Sequence, residues 1–148
     1  MSSDPGAGPP TMRLVLPARA ENVAVVRQAL NGVAEGLALE AFTLTDIKIA
    51  VSEACTNVVL HAYPEGEGPL LVDAWAGDGD ELVVVVRDEG SGFTPAARTE
   101  SAGLGLGLAL IASLSKEVHI GSEPGGGTEV RMRFRLDPDR EDMEVGSL

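Results

Sequence analysis

Two polar side chains in the middle of the chain could act together in a nucleotide site. Glu53 and Asn57 are four residues apart in the segment IAVSEACTNVVLHAY, so a helix would place them one turn apart on one flank of its apolar stripe. A glutamate there could accept a proton from a nucleophile, and an asparagine could supply a neutral oxygen ligand to Mg²⁺. Ordinary polar residues at the edge of a buried helix face would have the same spacing. The pair alone therefore fits both interpretations.

A second stretch, Asp88-Glu-Gly90-Ser-Gly92, follows the apolar run ELVVVVR. Four consecutive valines predict a buried central strand, and a carboxylate at its end is costly unless it is paired or hydrogen-bonded. The exocyclic amine of adenine offers N–H donors to such an acceptor, and Gly90 and Gly92 would let the backbone approach a flat base. The alternative is a tight turn in which nearby backbone N–H groups satisfy Asp88.

A third stretch has glycine at alternate positions, Gly103, Gly105 and Gly107, and leads into an apolar run that predicts a helix. Glycines allow backbone N–H groups to face a phosphate, and the N-terminus of the following helix adds a favourable dipole. The spacing differs from G-x-G-x-x-G, and the sequence contains no P-loop motif with its lysine. The pattern suggests a glycine-rich phosphate loop of another kind. The glycines before Thr128 are similarly ambiguous, since most glycine triplets between strands are turns.

Hydrophobic periodicity predicts the elements that position these stretches. It indicates a first strand MRLVLP, a helix over about residues 20–37, and a second helix whose apolar stripe runs from Ile47 to Val59. The segment Thr43-Leu-Thr-Asp46 is typical of a capping box and predicts the start of that second helix. Strands LLVDAWA and ELVVVVRD, a third helix LGLALIASL, and strands EVHIGS and TEVRMRFRL follow. This order predicts an α+β fold, a two-layer α/β sandwich with helices on one face of a mixed, mostly antiparallel sheet.

Composition and charge limit the class of protein. With 148 residues, of which 44% are hydrophobic and 23% charged, the chain is typical of one globular domain. The formal net charge of −12 argues against nonspecific binding to nucleic acid or to an anionic membrane, because both select basic surfaces. The single cysteine, Cys55, falls on the apolar side of the second helix and is predicted to be a core residue rather than a reactive thiol.

The two ends of the chain are predicted to lie outside the folded domain, which occupies residues 11–137. Residues 1–10 are rich in Gly, Pro and Ser and are predicted to be disordered, and residues 138–148 form a charged tail. The first residues lack the basic and apolar regions of a secretory signal, and no apolar run approaches the ~20 residues that span a bilayer. We therefore expect a cytoplasmic protein that does not enter a membrane.

The order of the motifs is more specific than any single motif. A helix with Glu-x-x-x-Asn, a strand ending in Asp-x-Gly-x-Gly, Gly-x-Gly-x-Gly before a helix, and Gly-Thr entering the last strand resembles the GHKL family of ATP-binding proteins, which have the Bergerat fold. Within this family, the segment VSEACTNVVLHAY and the compact single-domain length look most like the anti-sigma factor serine/threonine kinases. The resemblance covers roughly residues 12–136.

This resemblance implies a role for each matching position. Glu53 would be the general base, Asn57 would ligate Mg²⁺, and Asp88 would bind the adenine amine of ATP. The exposed face of the first helix would contact a protein substrate through Arg27. The other nucleotide-binding positions, which would lie beside the base or wrap the phosphates, are Gly90, Gly92, Gly103, Gly105, Gly107, Leu108 and Thr128.

The resemblance also implies partners and a reaction. The protein would be an anti-sigma factor with Mg-ATP-dependent serine/threonine kinase activity, which phosphorylates a STAS-type anti-sigma factor antagonist and also binds a sigma factor. A homodimer is expected. Only about ten residues, FTPAARTESA, separate the second and third motifs, and Arg98 is the only cation among them. This short lid motivates an alternative, an ATP-binding regulatory module that sequesters a partner without phosphotransfer.

Overall fold

The computed structural model of the protein describes residues 8–76, 80–91, 102–123 and 125–136. The order of strands and helices predicted from the sequence is confirmed. The elements are β1 (Met12–Pro17), α1 (Ala20–Leu37), α2 (Ala41–Asn57), a π-helical turn (Val58–Ala62), β2 (Pro69–Ala76), β3 (Glu81–Asp88), α3 (Ala102–Leu114), β4 (Glu117–Ser122) and β5 (Thr128–Arg135). None of the described helices is long and apolar enough to cross a membrane.

The strands form one sheet with the spatial order β1-β2-β3-β5-β4. Each of its four neighbouring pairs is antiparallel, so the described sheet contains none of the parallel pairing that a mixed sheet would have. The central strand is β3, and its four valines, residues 83–86, are all buried as predicted. The register places Asp88, at the end of β3, between Leu70 of β2 and Thr128 of β5.

The main core lies between the sheet and the helices. Alternate residues of β3 point to this side, with Leu82, Val84 and Val86 buried against the helices. The same alternation on β5 buries Val130, Met132 and Phe134 and leaves the intervening arginines partly exposed. The sheet therefore has one apolar face that packs on helices, which confirms the predicted two-layer α+β architecture.

Charged residues occupy much of the other face of the sheet. Asp73 is buried there, and its carboxylate pairs with Arg13 at 2.9 Å and with Arg87 at 3.0 Å. Arg87 also contacts Glu129 of β5 at 3.2 Å, so that the ion pairs cross four strands. Residues 8–10 belong to the described chain, and the carbonyl of Gly8 accepts a hydrogen bond from the indole of Trp75 at 3.2 Å. The predicted tail, residues 138–148, lies outside the described residues.

The predicted capping box at Thr43 is wrong. The N-cap of helix α2 is Glu40, three residues before Thr43, so the helix begins at Ala41, and the side chain of Glu40 makes no capping hydrogen bond. Thr43 faces inward in the first turn, is only 5% exposed, and its hydroxyl has no hydrogen-bond partner among the described residues. It is four residues before the fully buried Ile47, so packing of this helix face against the core took the side chain inward.

The apolar stripe of α2 is placed as predicted. Its buried residues continue one helical turn after another from Ile47 to Cys55. Burial raises the pKa of the Cys55 thiol to about 12, which agrees with a core residue rather than a reactive one. This stripe anchors α2 on the sheet and leaves its flank toward α3 available for polar side chains.

Candidate nucleotide-binding site

Glu53 and Asn57 lie one turn apart near the C-terminal end of α2, as the sequence predicted. Glu53 is half-buried, and Asn57, the last residue of the helix, is only 5% exposed. Asn57 is therefore not part of a solvated helix flank. A buried amide thus lies one helical turn from a partly buried carboxylate.

The π-helical turn Val58–Ala62 brings the end of α2 against the end of β3. Such turns are rare and occur often at functional sites. The carbonyl oxygen of Ala62 lies so close to Gly90 that a Cβ at position 90 would stand 1.9 Å from it. Only glycine fits there, and its absence of a side chain lets the two backbones meet.

Asp88 is a buried carboxylate at the end of the central strand, with 2% of its surface exposed. It accepts hydrogen bonds from the backbone N–H of Gly90, at 3.0 Å, and from that of Thr128. Burial raises the pKa of Asp88 above its ordinary value. The turn alternative considered above is thus correct in part. An ionised carboxylate has about four acceptor positions, so two backbone bonds leave capacity for the amine of a base.

The turn between β4 and β5 also lies against the end of β3, at Asp88. Gly127 has a φ of 105°, a conformation that side chains rarely adopt, and a Cβ there would stand 2.2 Å from the backbone oxygen of Asp88. Thr128 follows it, is buried, and pairs with Asp88 in the sheet register. The glycine triplet is therefore a turn that also allows a close backbone approach, and the structure places Thr128 beside Asp88.

The alternating glycines lie in the first two turns of α3, which begins at Ala102, rather than in a loop before it. Leucine, a good helix former, follows each of the first two glycines, which helps to explain the earlier helix start. Gly107 is buried, and a Cβ on it would stand 2.5 Å from the Glu53 carboxylate. Leu108 is half-buried and packs against the core. Gly92 and Arg98 lie outside the described residues, as do residues 93–101 of the predicted lid.

Arg27 lies on the exposed face of α1, where its guanidinium donates a hydrogen bond to the hydroxyl of Ser52 at 3.2 Å. Ser52 immediately precedes Glu53 on α2. The predicted partner-binding arginine is therefore close to the helix that carries the predicted base, at a surface that another protein can reach.

The described residues contain no group of three His, Cys, Asp or Glu side chains that could hold a metal ion. The predicted ligand Asn57 offers one neutral oxygen, a donor type that Mg²⁺ accepts. Its fit to Mg²⁺ rests on that oxygen and on its buried position beside Glu53.

Tyr63 was not predicted as a site residue, yet it contacts the site directly. Its hydroxyl accepts a hydrogen bond from the backbone N–H of Glu89 at 2.8 Å and donates one to the carbonyl of Pro69. It is the only tyrosine of the chain and follows the helix motif. No local pattern reveals a contact between residues 26 positions apart, so only its place next to the motif could have drawn attention to it.

Comparison with known proteins identifies the family of this chain. The sequence model of the histidine kinase-like ATPase domain matches residues 16–134. The chain belongs to this family. Among its relatives, the serine-protein kinase RsbW of Halalkalibacterium halodurans is 38% identical over 130 residues, which cover 79% of each chain. The serine-protein kinase RsbW of Bacillus subtilis is 34% identical over 147 residues, covering 90% of this chain and 91% of the relative.

Solved structures show the same fold. The crystal structure of the RsbU and RsbW domains of a Mycobacterium tuberculosis protein superimposes with a TM-score of 0.64 at 28% identity. The match covers 86% of this chain and 33% of that longer chain. A histidine kinase domain of Erythrobacter litoralis superimposes with a TM-score of 0.58 at 21% identity, covering 92% and 68%. At that identity the likeness concerns the fold alone.

Proposed function

We propose that this protein is an anti-sigma factor with ATP-dependent serine/threonine kinase activity. It transfers a phosphoryl group from Mg-ATP to a hydroxyl of a small antagonist protein of the STAS type, and it binds a sigma factor as its other partner. The single observation that carries the proposal is that the end of α2, which bears Glu53 and Asn57, continues into a turn that lies against the end of β3, which bears Asp88. A Cβ at Gly90 would stand 1.9 Å from the carbonyl oxygen of Ala62.

The proposed role of each side chain follows from its burial and its hydrogen bonds. Asp88 accepts the amine of adenine with the acceptor capacity that its two backbone bonds leave free. Asn57 would hold Mg²⁺ through its side-chain oxygen, and the ion would supply neutralisation of the phosphate charge. Glu53, half-buried beside Gly107, orients the attacking hydroxyl and receives its proton. Catalysis is then mostly positioning and electrostatic stabilisation, as for phosphoryl transfer in general.

The relatives support the kinase assignment over a plain binding module. Two serine-protein kinases cover most of this chain at 34–38% identity, and the match extends across both motif-bearing helices. The position of Arg27 beside α2 supports a docking surface for the protein substrate next to Glu53. A homodimer and a cytoplasmic location are part of the proposal, and the homodimer rests on the resemblance to the anti-sigma kinases.

The test separates nucleotide binding from phosphoryl transfer. Calorimetry measures the binding of ATP in the presence of Mg²⁺, and mass spectrometry follows the phosphorylation of a candidate STAS-domain antagonist. We expect Glu53→Gln to bind ATP about as well as the wild type and to transfer phosphate roughly 100-fold more slowly, in the range that general bases contribute. Glu35→Gln, the same substitution at an exposed position of α1, is the matched control and should leave both readouts unchanged.

Two outcomes would contradict the proposal. Absence of ATP binding by the wild type would remove the nucleotide site altogether. Tight binding of ATP without transfer to any antagonist would favour the regulatory module that only sequesters its partner. Equal transfer rates in Glu53→Gln and the wild type would leave the kinase in place but assign the base to another residue.

A further inference from the structure

One hydroxyl group joins three separate segments around the candidate nucleotide site. Tyr63 follows the π-helical turn at the end of α2, and its hydroxyl hydrogen-bonds to the carbonyl of Pro69, the first residue of β2. The same hydroxyl accepts the backbone N–H of Glu89, just after β3, at 2.8 Å. Both its donor and its acceptor capacities are therefore used by backbone groups.

Glycines hold the tyrosine ring in place by close approach. A Cβ at Gly68 would stand 2.2 Å from the ring carbon Cε1, and a Cβ at Gly90 would stand 3.1 Å from Cδ1. Gly68 precedes β2, whereas Gly90 is part of the stretch that follows Asp88. The ring is confined between the two segments that its hydroxyl connects.

The hydrogen bond to Glu89 acts on the backbone that carries the base-binding carboxylate. The Glu89 N–H belongs to the peptide unit that joins Asp88 to Glu89, and the next N–H, that of Gly90, is donated to the Asp88 carboxylate. Fixing this peptide unit fixes the direction in which the carboxylate presents its remaining acceptor positions. Burial raises the pKa of Tyr63 above its ordinary value, so the hydroxyl remains protonated and keeps both bonds.

We propose that Tyr63 is a positioning residue for nucleotide recognition: it contacts no nucleotide itself, but its hydroxyl sets the Asp88–Gly90 backbone and thereby the affinity and selectivity for adenine over guanine. This inference rests on the proposed ATP site. Guanine carries an acceptor oxygen where adenine has its amine, so discrimination between them depends on how the Asp88 carboxylate is aimed.

The first test removes only the hydroxyl, in Tyr63→Phe. Calorimetry at a temperature where circular dichroism shows each variant fully folded measures the affinities for Mg-ATP and Mg-GTP. We expect ATP to bind about tenfold more weakly, the size of effect that one or two net hydrogen bonds produce. The ratio of ATP to GTP affinity should fall, whereas the rate of phosphoryl transfer at saturating ATP should stay near that of the wild type. Ser115→Ala, which loses a hydroxyl hydrogen bond to Ile111 at the end of α3, is the control.

A second variant displaces the Tyr63 ring without changing the tyrosine itself. Gly68→Ala places a methyl group 2.2 Å from the tyrosine ring and should weaken ATP binding in the same way, although Gly68 lies outside the nucleotide site. Gly66→Ala makes the same substitution two residues earlier in the same loop, where a Cβ meets nothing within 4 Å, and should bind ATP like the wild type. This pair keeps the test valid if Tyr63→Phe does not fold.

The outcomes distinguish this inference from the proposed function. If the wild type binds no ATP, the proposed function fails and the role of Tyr63 fails with it. If the wild type binds ATP and both Tyr63→Phe and Gly68→Ala retain its affinity and its ATP/GTP ratio, the positioning role is wrong while the nucleotide site stands. A loss of thermal stability with an unchanged ratio would also overturn it, since a purely structural tyrosine gives that result.

Discussion

Gly107 of α3 lies directly against the carboxylate of Glu53 on α2, and a Cβ at position 107 would stand 2.5 Å from Oε2. The two residues are 54 positions apart in the sequence, and the absence of a side chain at one sets the position of the other. The glycine-rich stretch therefore has a second use beside any contact with phosphate. It allows α3 to approach the predicted catalytic base.

We expect Gly107→Ala to slow phosphoryl transfer without unfolding the protein. Alanine is the better helix former, by about 1 kcal/mol in a helix interior, which offsets part of the local crowding. The methyl group must displace the Glu53 carboxylate, and a misplacement of about 1 Å can cost on the order of 100-fold in rate. Single-turnover phosphorylation of the antagonist measures the effect.

The control is Gly36→Ala on α1, where the added Cβ meets nothing within 4 Å. This variant should keep the wild-type transfer rate and gain some stability. If Gly107→Ala also transferred phosphate at the wild-type rate, the position of the Glu53 side chain would not matter for the reaction.

The buried carboxylate of Asp88 should make the stability of the protein without nucleotide depend on pH. Because burial raises its pKa above 3.8, the folded protein holds this proton more tightly than the unfolded chain does. The stability linked to the group is present below the ordinary pKa and is lost as the pH rises through the raised pKa. In Asp88→Asn, this loss should be absent.

The measurement is the free energy of unfolding in urea from about pH 4 upward, taken as the difference between Asp88→Asn and the wild type. As the pH rises, the free energy of unfolding of Asp88→Asn should increase relative to that of the wild type until Asp88 is fully ionised. Asp46→Asn, the same substitution at an exposed position of α2, should give a smaller change. Parallel curves for Asp88→Asn and the wild type would mean that the hydrogen bonds from Gly90 and Thr128 balance the desolvation, and a difference that moves in favour of the wild type would mean that they outweigh it.

Thr43 should be replaceable with a gain in stability. Its hydroxyl is buried without a partner among the described residues, and an unsatisfied buried polar group costs about 1–3 kcal/mol. Valine has the same shape without the hydroxyl, so Thr43→Val should raise the melting temperature by roughly 2–4 °C for about 1 kcal/mol gained. Differential scanning calorimetry provides the value.

Thr45→Val, two residues further on the exposed side of the same helix, is the matched control and should change the melting temperature little. A lower melting temperature for Thr43→Val than for Thr45→Val would indicate that the Thr43 hydroxyl makes a stabilising hydrogen bond to water.

The elements of the fold could be predicted because their signals are local. The helix stripe from Ile47 to Cys55 and the alternation of β5 depend only on which face of an element is buried. The start of α2 could not be predicted in the same way. Thr43 has the residue type of a helix cap, but packing of its helix face against the core turned it inward, and tertiary contacts override such local preferences.

The sequence by itself determined which chemical groups the site contains and on which elements they lie: a carboxylate and an amide one turn apart on α2, and an aspartate at the end of a buried strand. The tertiary structure alone decided how they meet. The β3–β5 register places Asp88 beside Thr128, α3 brings Gly107 onto Glu53, and Tyr63 joins the end of α2 to Glu89. These contacts depend on strand register and on how closely two backbones can approach. Strand register and backbone approach give no periodic pattern in the sequence. The residues involved are brought together only when the helices pack on the sheet.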